Sequence, residues 1–234
     1  MLKSIDLFFM SGTREHFNKI ADKYDTWKKK NWYYYCNLKA LYRENIPPGA
    51  GVLEIGCGTG DILASLGCGR GAGLDISDEM IEIAKRKYGS VNNLAFYAGT
   101  AETLELNEKF DYIFLADVIE HLDNVNSTVG ALKKFCRKDT KIIISMANPL
   151  WEPLLMMMEK LRLKMPEGPH QRISIKELKN IFKDNNFTVT NEGFRTLVPF
   201  YIPAISDFLN KYFYKVPILA KMGLIYFCEV KLYN

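Results

Sequence analysis

Three carboxylates bracket a run of glycines in this chain. Glu54 precedes Gly56-Cys57-Gly58-Thr59-Gly60, Asp61 follows at once, and Asp75 stands 21 residues after Glu54. A glycine loop lets backbone approach a ligand closely. A dinucleotide fingerprint of the G-x-G-x-x-G type needs its third glycine at position 61, with the pyrophosphate on the helix N-terminus. Asp61 stands there instead. Its carboxylate is expected to fill the anion site and repel a pyrophosphate. Glu54 adds a second negative charge just before the loop, and the two acids favour a cationic ligand.

S-adenosylmethionine fits that chemistry, since it carries an ammonium and a sulfonium and no phosphate. Its ribose needs a bidentate acceptor. Asp75, expected at the tip of a strand, is placed to accept both hydroxyls. A nicotinamide oxidoreductase is the competing class, and Asp61 and Glu54 argue against it.

The elements that must position these residues follow from periodicity. Phe17, Ile20, Ala21, Tyr24 and Trp27 recur at helical spacing, so residues 14–45 read as helix until "IPPGAG" stops it. Short apolar runs at 52–55, 71–77, 93–99, 110–116 and 141–147 read as strands. Helical stretches at 61–66, at 78–88 and from 117 through Arg137 alternate with them. This alternation predicts an α/β fold, a parallel sheet with helices on both faces. After residue 147 the pattern changes. Pro153 stands where a helix could begin, and Leu154, Met157, Met158 and Leu161 share one face of it. Leu155 and Met156 fall outside that face and make the helix apolar around most of its circumference, so it must be buried or meet a second partner. A helix over 173–186 and strands over 187–197 and 223–232 complete the chain. Between those strands Ile205, Phe208, Leu209, Tyr212 and Phe213 form an apolar stripe fenced by Pro199, Pro203 and Pro217. The reading is one domain over 1–234, with a helical cap at 14–45 and two lid insertions, 148–173 and 197–222.

Composition agrees with a globular protein. The chain has 234 residues, 48% hydrophobic and 25% charged, long enough for one core. A net charge of +4 is too weak to imply nucleic acid by itself. Five scattered cysteines in no metal or redox spacing predict reduced thiols, a cytoplasmic location and no metal. The four-residue apolar run after Asp6 is too short for a signal peptide, and no run approaches a membrane span.

"VLEIGCGTGD", "GLDIS" and "FDYIFLADVIEHL" together resemble the successive motifs of class I S-adenosylmethionine-dependent methyltransferases. The resemblance is close from about Phe17 to Ala147 and loose beyond. It implies a doubly wound, seven-stranded, mostly parallel sheet of order 3-2-1-4-5-7-6, strand seven antiparallel, with the cofactor across the carboxyl ends of strands one, two and four. It also implies that Glu54, Gly56, Cys57 and Gly58 line the methionine end. Asp75 would bind the ribose, and Ile76 and Met80 would border the adenine. "AGTAE" takes the place of the family's "GDAE", so Thr100 replaces the aspartate that meets the adenine amine. That contact would pass to the Thr100 hydroxyl or to backbone near Ala101 and Glu102. Asp117 would face the methionine end, and Tyr24 matches the tyrosine of a helix that closes over the cofactor.

The remaining motifs leave more than one reading each. His121 and, from the lid, His170 are candidate general bases or pocket walls, and His16 is expected at the surface. "NPLW", Asn148 to Trp151, imitates an amide-clamp motif but follows strand five rather than four, which favours a turn opening the lid. "WKKKNWYYY" interleaves bases with aromatics; Lys28 to Lys30 span too much circumference for one nucleic-acid stripe, and Tyr33 and Tyr35 are expected near the cofactor mouth. The Met- and aromatic-rich lids read as lid core, homodimer interface, apolar acceptor pocket or peripheral membrane contact. The functional expectation is methyl transfer to a small or lipophilic acceptor, sugar- or lipid-linked among the options. The alternative is a methyltransferase-fold protein that holds the cofactor in a regulatory role without turnover.

Overall fold

The computed structural model describes residues 2–166, 168–212 and 216–233. Helices α1 (Leu2–Lys30) and α2 (Trp32–Asn45) precede β1 (Gly51–Ile55), which enters the glycine loop. The chain then alternates: α3 (Asp61–Ala64), β2 (Arg70–Asp75), α4 (Asp78–Tyr88), β3 (Leu94–Ala98), β4 (Phe110–Ala116), α5 (Val125–Leu132) and β5 (Cys136–Ala147). Next come α6 (Glu152–Lys160), α7 (Ile175–Asp184), β6 (Phe187–Arg195), α8 (Ile205–Tyr212), α9 (Pro217–Ala220) and β7 (Ile225–Leu232).

The seven strands form one sheet of order β3-β2-β1-β4-β5-β7-β6. β1 lies parallel to β2 and β4, with Glu54 opposite Gly73 and Phe114. β7 runs antiparallel between β5 and β6. This is the order and orientation the motifs implied. Alternation along each strand divides the core in two. Leu53, Ile113, Ile142 and Ile144 face α5 and α7 on one side, while Val52, Phe114 and Ile143 face α2, α3 and α4 on the other. Tyr42 of α2 is fully buried, its hydroxyl 2.9 Å from the Leu115 carbonyl and 3.0 Å from Ser145 Oγ. Among the described residues no helix is long and apolar enough to cross a membrane.

Several elements depart from the periodicity reading. The 14–45 helix is two helices that part at Asn31, whose φ of −104° and ψ of 33° leave the helical region; α1 also starts earlier, at Leu2. The expected helix from β4 to Arg137 is a 3-10 turn at Ile119–His121, then α5, then a second 3-10 turn at Lys133–Phe135. β5 starts five residues early because Thr140 Oγ1 accepts the Arg137 amide and donates to the Phe110 carbonyl, extending the ladder. α3 is a single turn capped by Ser65, with Gly67 at φ 64° two residues further on.

The lid helix α6 has no buried residue. Of the expected face of Leu154, Met157, Met158 and Leu161, the residues Leu154, Met157 and Leu161 are exposed, Met157 at 51%. Leu155, Met156 and Met158 instead line the cavity described below. Ile205, Phe208 and Tyr212 of α8 are likewise exposed, and Phe213 lies outside the described residues.

Candidate active site

The glycine loop is built for close approach. Gly56 has φ 72°, and a Cβ there would stand 2.3 Å from Val118 Cγ2. Gly58, at φ 51°, lies under the Tyr24 ring. Only glycine relieves both constraints. Asp75 ends β2 and reaches back to this loop: its Oδ2 accepts the Gly58 amide at 2.7 Å and its Oδ1 the Ser77 amide at 2.9 Å. Those bonds fix the carboxylate plane and leave each oxygen a free lone-pair direction. Glu54 is 1% exposed, with Oε2 accepting the Leu63 amide at 3.2 Å. Burial pushes its carboxyl well above the usual range, opposed by the Lys28 ammonium.

Asp61 does not do what its position suggested. Its carboxylate pairs with Lys87 and accepts the Tyr88 hydroxyl at 2.8 Å, and it is absent from the cavity wall. The Lys87 hydrogen bond holds its carboxyl below the usual range against the cost of burial. The acidic groups left at the loop are therefore Glu54 and Asp75.

Helix α1 closes over the loop by side-chain bonds. Ser77 Oγ donates to Asn18 Oδ1 at 2.6 Å, and Thr59 Oγ1 donates to Asp25 Oδ1 at 2.6 Å. Lys28 Nζ sits 4.6 Å from the Tyr24 ring centroid and 5.4 Å from that of Tyr35. Burial raises both phenols, Glu54 and Asp75 adding to it for Tyr24. Lys30 lies over the Trp27 ring and donates to the Arg162 carbonyl, so two of the three lysines of "WKKKNWYYY", Lys28 and Lys30, meet aromatic rings of the same chain. Tyr33 does not reach the cofactor mouth. It turns to α8, donating to Asp207 Oδ1 at 2.9 Å. Tyr34 takes the place expected for Tyr33, and its hydroxyl donates to Asp117 Oδ2. Asp117 adopts φ 52°, uncommon for a non-glycine, and its Oδ1 accepts the Ser145 hydroxyl at 2.8 Å. Burial raises its carboxyl, partly offset by those two hydroxyls.

One cavity of about 680 Å³ gathers these groups. Its wall includes Tyr24, Tyr35, Glu54, Gly56, Cys57, Gly58, Asp75 and Asp117 at one end. Ile76, Met80, Thr100, Ala101 and Glu102 also border it. The Thr100 hydroxyl is 3.3 Å from Thr103 Oγ1, and Glu102 Oε1 accepts the Thr128 hydroxyl at 2.6 Å.

The other end is apolar, with Phe17, Met146, Leu155, Met158, Met165 and Phe200 around His121 and His170. The two imidazoles stand 6.4 Å apart, and Phe17 packs edge-on against His121 at 5.3 Å. His121 Nδ1 is 3.2 Å from the Pro169 carbonyl, and burial lowers this imidazole to about 4. His16 is half-buried against the lid, its Nε2 3.0 Å from the Pro166 carbonyl, rather than at the surface. Asn148 and Trp151 open the lid as a 3-10 turn and bond to residues 221–223, tying one insertion to the other. Trp151 is not part of the cavity wall.

Among the wall residues that escaped the sequence reading are Thr13, Lys28, Tyr34 and Glu120. For Lys28 a signal existed. Tyr24, Lys28, Asn31, Tyr35 and Leu38 all line the cavity at helical intervals that run through the break at Asn31.

Known proteins bear on this geometry. The Ubiquinone biosynthesis O-methyltransferase of Bartonella tribocorum is 31% identical over 153 residues, covering 60% of this chain and 61% of that protein. The chain thus spans 61% of the length of that curated relative. A Haloferax volcanii protein solved with the Trm112 methyltransferase activator superposes with TM-score 0.70 at 18% identity, covering 93% of this chain and 98% of that one. Magnesium protoporphyrin IX methyltransferase of Synechocystis PCC 6803, solved with bound SAH, superposes with TM-score 0.62 at 19% identity, covering 96% and 99%. At those identities the likeness is one of fold. Residues 27–192 match the family model described as a methyltransferase domain, and with the motif order and sheet order above, the chain belongs to the class I S-adenosylmethionine-dependent methyltransferases.

Proposed function

We propose that this protein transfers a methyl group from S-adenosylmethionine to a small lipophilic acceptor. The observation that carries the reading is one continuous cavity whose wall combines the glycine loop and its buried acids with methionine and aromatic side chains. The residues suit the cofactor. The bare backbone at Gly56 and Gly58 leaves room that a Cβ would fill. Glu54 and Asp117 offer negative charge to an ammonium and a sulfonium, and Lys28 offers a cation to the methionine carboxylate. Asp75 accepts the ribose hydroxyls, while Ile76, Met80, Thr100, Ala101 and Glu102 border the adenine. Cys57 and the rings of Tyr24 and Tyr35 complete the wall. Bound there, the cofactor supplies an electrophilic methyl group. The chain's own part is to hold the acceptor atom in line and exclude water under α1 and α6. His121 and His170 wall the acceptor.

Cofactor titration followed by calorimetry tests this reading. Saturable binding that Asp75→Ala weakens severely is the expected result. Unchanged affinity in that variant removes the ribose assignment, and no binding by the wild type removes the cofactor.

The relative named for ubiquinone biosynthesis supports a ring-bearing, lipophilic acceptor. The outward faces of both lids extend this to a lipid surface as its source. Leu150, Leu154, Met157 and Leu161 are exposed on one rim, and Phe200, Ile205, Phe208 and Tyr212 on the other, Phe208 at 52%. Trp32 joins the second rim through Tyr201, ring centroids 5.2 Å apart. Exposed Lys160, Arg162, Lys211 and Lys221 stand among them, which suits an anionic lipid surface. Flotation with phosphatidylglycerol vesicles is expected to carry the protein, and Met157→Glu with Phe208→Glu to release it at unchanged cofactor affinity. A stable homodimer that buries both rims and ignores vesicles would replace the membrane contact with a subunit interface. Five free thiols accord with the reducing cytoplasm as its compartment.

A further inference from the structure

At the acceptor end, two buried side-chain oxygens have no hydrogen-bond partner: Glu120 Oε2 and Thr13 Oγ1. Both residues line the cavity. Glu120 is anchored by its other oxygen, since Oε1 accepts the Ala147 amide at 3.0 Å. Its backbone carbonyl accepts the Gln171 amide at 2.8 Å, which ties the turn to the lid. An unpaired carboxylate oxygen in such a place is costly and asks for a donor. Next to it, His121 is held neutral by burial and is a weak base, with Nδ1 against the Pro169 carbonyl. Between these two neighbours it is the glutamate oxygen, not the histidine, that lacks a proton donor among the described residues.

We propose that Glu120 receives the proton of a phenolic acceptor and is a catalytic residue of the methyl transfer proposed above, on which this inference rests. The acceptor O–H bond breaks, and the proton goes to Glu120 Oε2. The phenolic oxygen keeps the electron pair with which it bonds to the methyl carbon, the C–S pair remaining with the sulfonium donor's sulfur. The Glu120 proton then passes to water as product leaves.

Chemistry selects the phenol. Burial raises the Glu120 carboxyl to about 7, Asp117 adding to the rise while the Glu120 backbone amide, the Ala147 amide and Lys164 oppose it. The charged and titratable groups that face it are Asp117 at the end of β4, Tyr34 on α2 and Lys164 after α6, with His121 beside it. A base near the working pH serves best. A phenol at about 10 lies within its reach, whereas an alkyl alcohol, close to water at about 15.7, does not. The aromatic and methionine walls suit a ring, and Thr13 Oγ1 is available to a second polar substituent on it.

Glu120→Gln tests this, because its amide oxygen can still accept the Ala147 amide. The probe is catechol. Cofactor affinity is expected to stay at the wild-type value, while kcat on catechol falls on the order of 10²- to 10⁴-fold and the rise of kcat/KM through pH 7 disappears. Infrared difference titration supplies a readout without turnover. The carboxyl band that Glu120→Gln removes should titrate near pH 7 in the free protein, and at lower pH with catechol bound, since an O–H donor favours the charged form. A midpoint that catechol leaves unmoved, a wild type that does not bind catechol, or a Gln variant with the wild-type rate overturns the proposal. A protein that binds no S-adenosylmethionine fails the reading above, yet the carboxyl titration can still be read.

Discussion

The Tyr34 hydroxyl donates to Asp117 Oδ2, and this bond joins the helical cap to the carboxyl end of β4. It continues a chain of hydroxyls: Ser145 donates to the other Asp117 oxygen, and Tyr42 reaches Ser145. The network holds Asp117 at φ 52°, a conformation that costs of order 1–3 kcal/mol. Tyr34→Phe removes a donor from a buried carboxylate. Stability should fall by about 1–3 kcal/mol in urea denaturation at pH 7, and cofactor affinity should fall with it. Equal stability of variant and wild type would show that the bond contributes nothing.

Cofactor binding should release protons. Burial raises the carboxyls of Glu54, Asp75 and Asp117, so the free protein retains protons that isolated carboxylates would have lost. A cation placed beside them favours their charged forms. Affinity for S-adenosylmethionine is therefore expected to strengthen as pH rises through those raised values. Calorimetric titrations in two buffers of different ionisation heat measure the proton count directly. S-adenosylhomocysteine, whose sulfur is uncharged, should show a weaker dependence. A flat profile for both ligands would contradict the electrostatic account.

The sheet order and the loop were legible because buried parallel strands are short apolar runs and because glycine spacing is a local signal. What escaped was non-local. Asp61 meets Lys87, 26 residues on, and its charge is spent outside the cavity. Three consecutive tyrosines give no cue by themselves as to which enters the site; the helical interval carried through Asn31 turns Tyr34 and Tyr35 to the cavity and leaves Tyr33 to α8. Apolar spacing on α6 marked a helix but not its orientation, because an outward apolar face and an inward one obey the same period. Glu120 was hidden beside a histidine with a more familiar chemistry, and only the unpaired Oε2 distinguishes it.

The lids should loosen together. Asn148 is buried, donates to the Gly223 carbonyl at 2.8 Å and the Lys221 carbonyl at 3.0 Å, and accepts the Leu150 amide at 3.1 Å. Trp151 Nε1 adds a bond to the Met222 carbonyl at 2.7 Å. Asn148→Ala should cost about 2 kcal/mol by stranding buried backbone groups. Limited proteolysis is expected to cut within 197–222 faster in the variant, at nearly unchanged cofactor affinity. Protection equal to wild type would mean that the two insertions hold independently.

Glu120 should also leave a mark on stability. Its folded-state carboxyl titrates at about 7, above the ordinary value of 4.5. The folded protein thus binds a proton that the unfolded chain has released between those values. Stability from this group is fully present below the unfolded pKa and is lost as pH rises through the folded one. A shift of that size corresponds to at most about 3 kcal/mol. Glu120→Gln carries no such titration, so its stability relative to wild type should increase between pH 5 and pH 8. Urea denaturation of both proteins at several pH values across that window measures the difference. The subtraction cancels Glu54 and Asp75, buried carboxyls whose charges do not act on Glu120 and which titrate alike in both proteins. A difference that stays constant would mean that Glu120 is already ionised at pH 5, and a carboxylate so stabilised would be a poor base for a phenol.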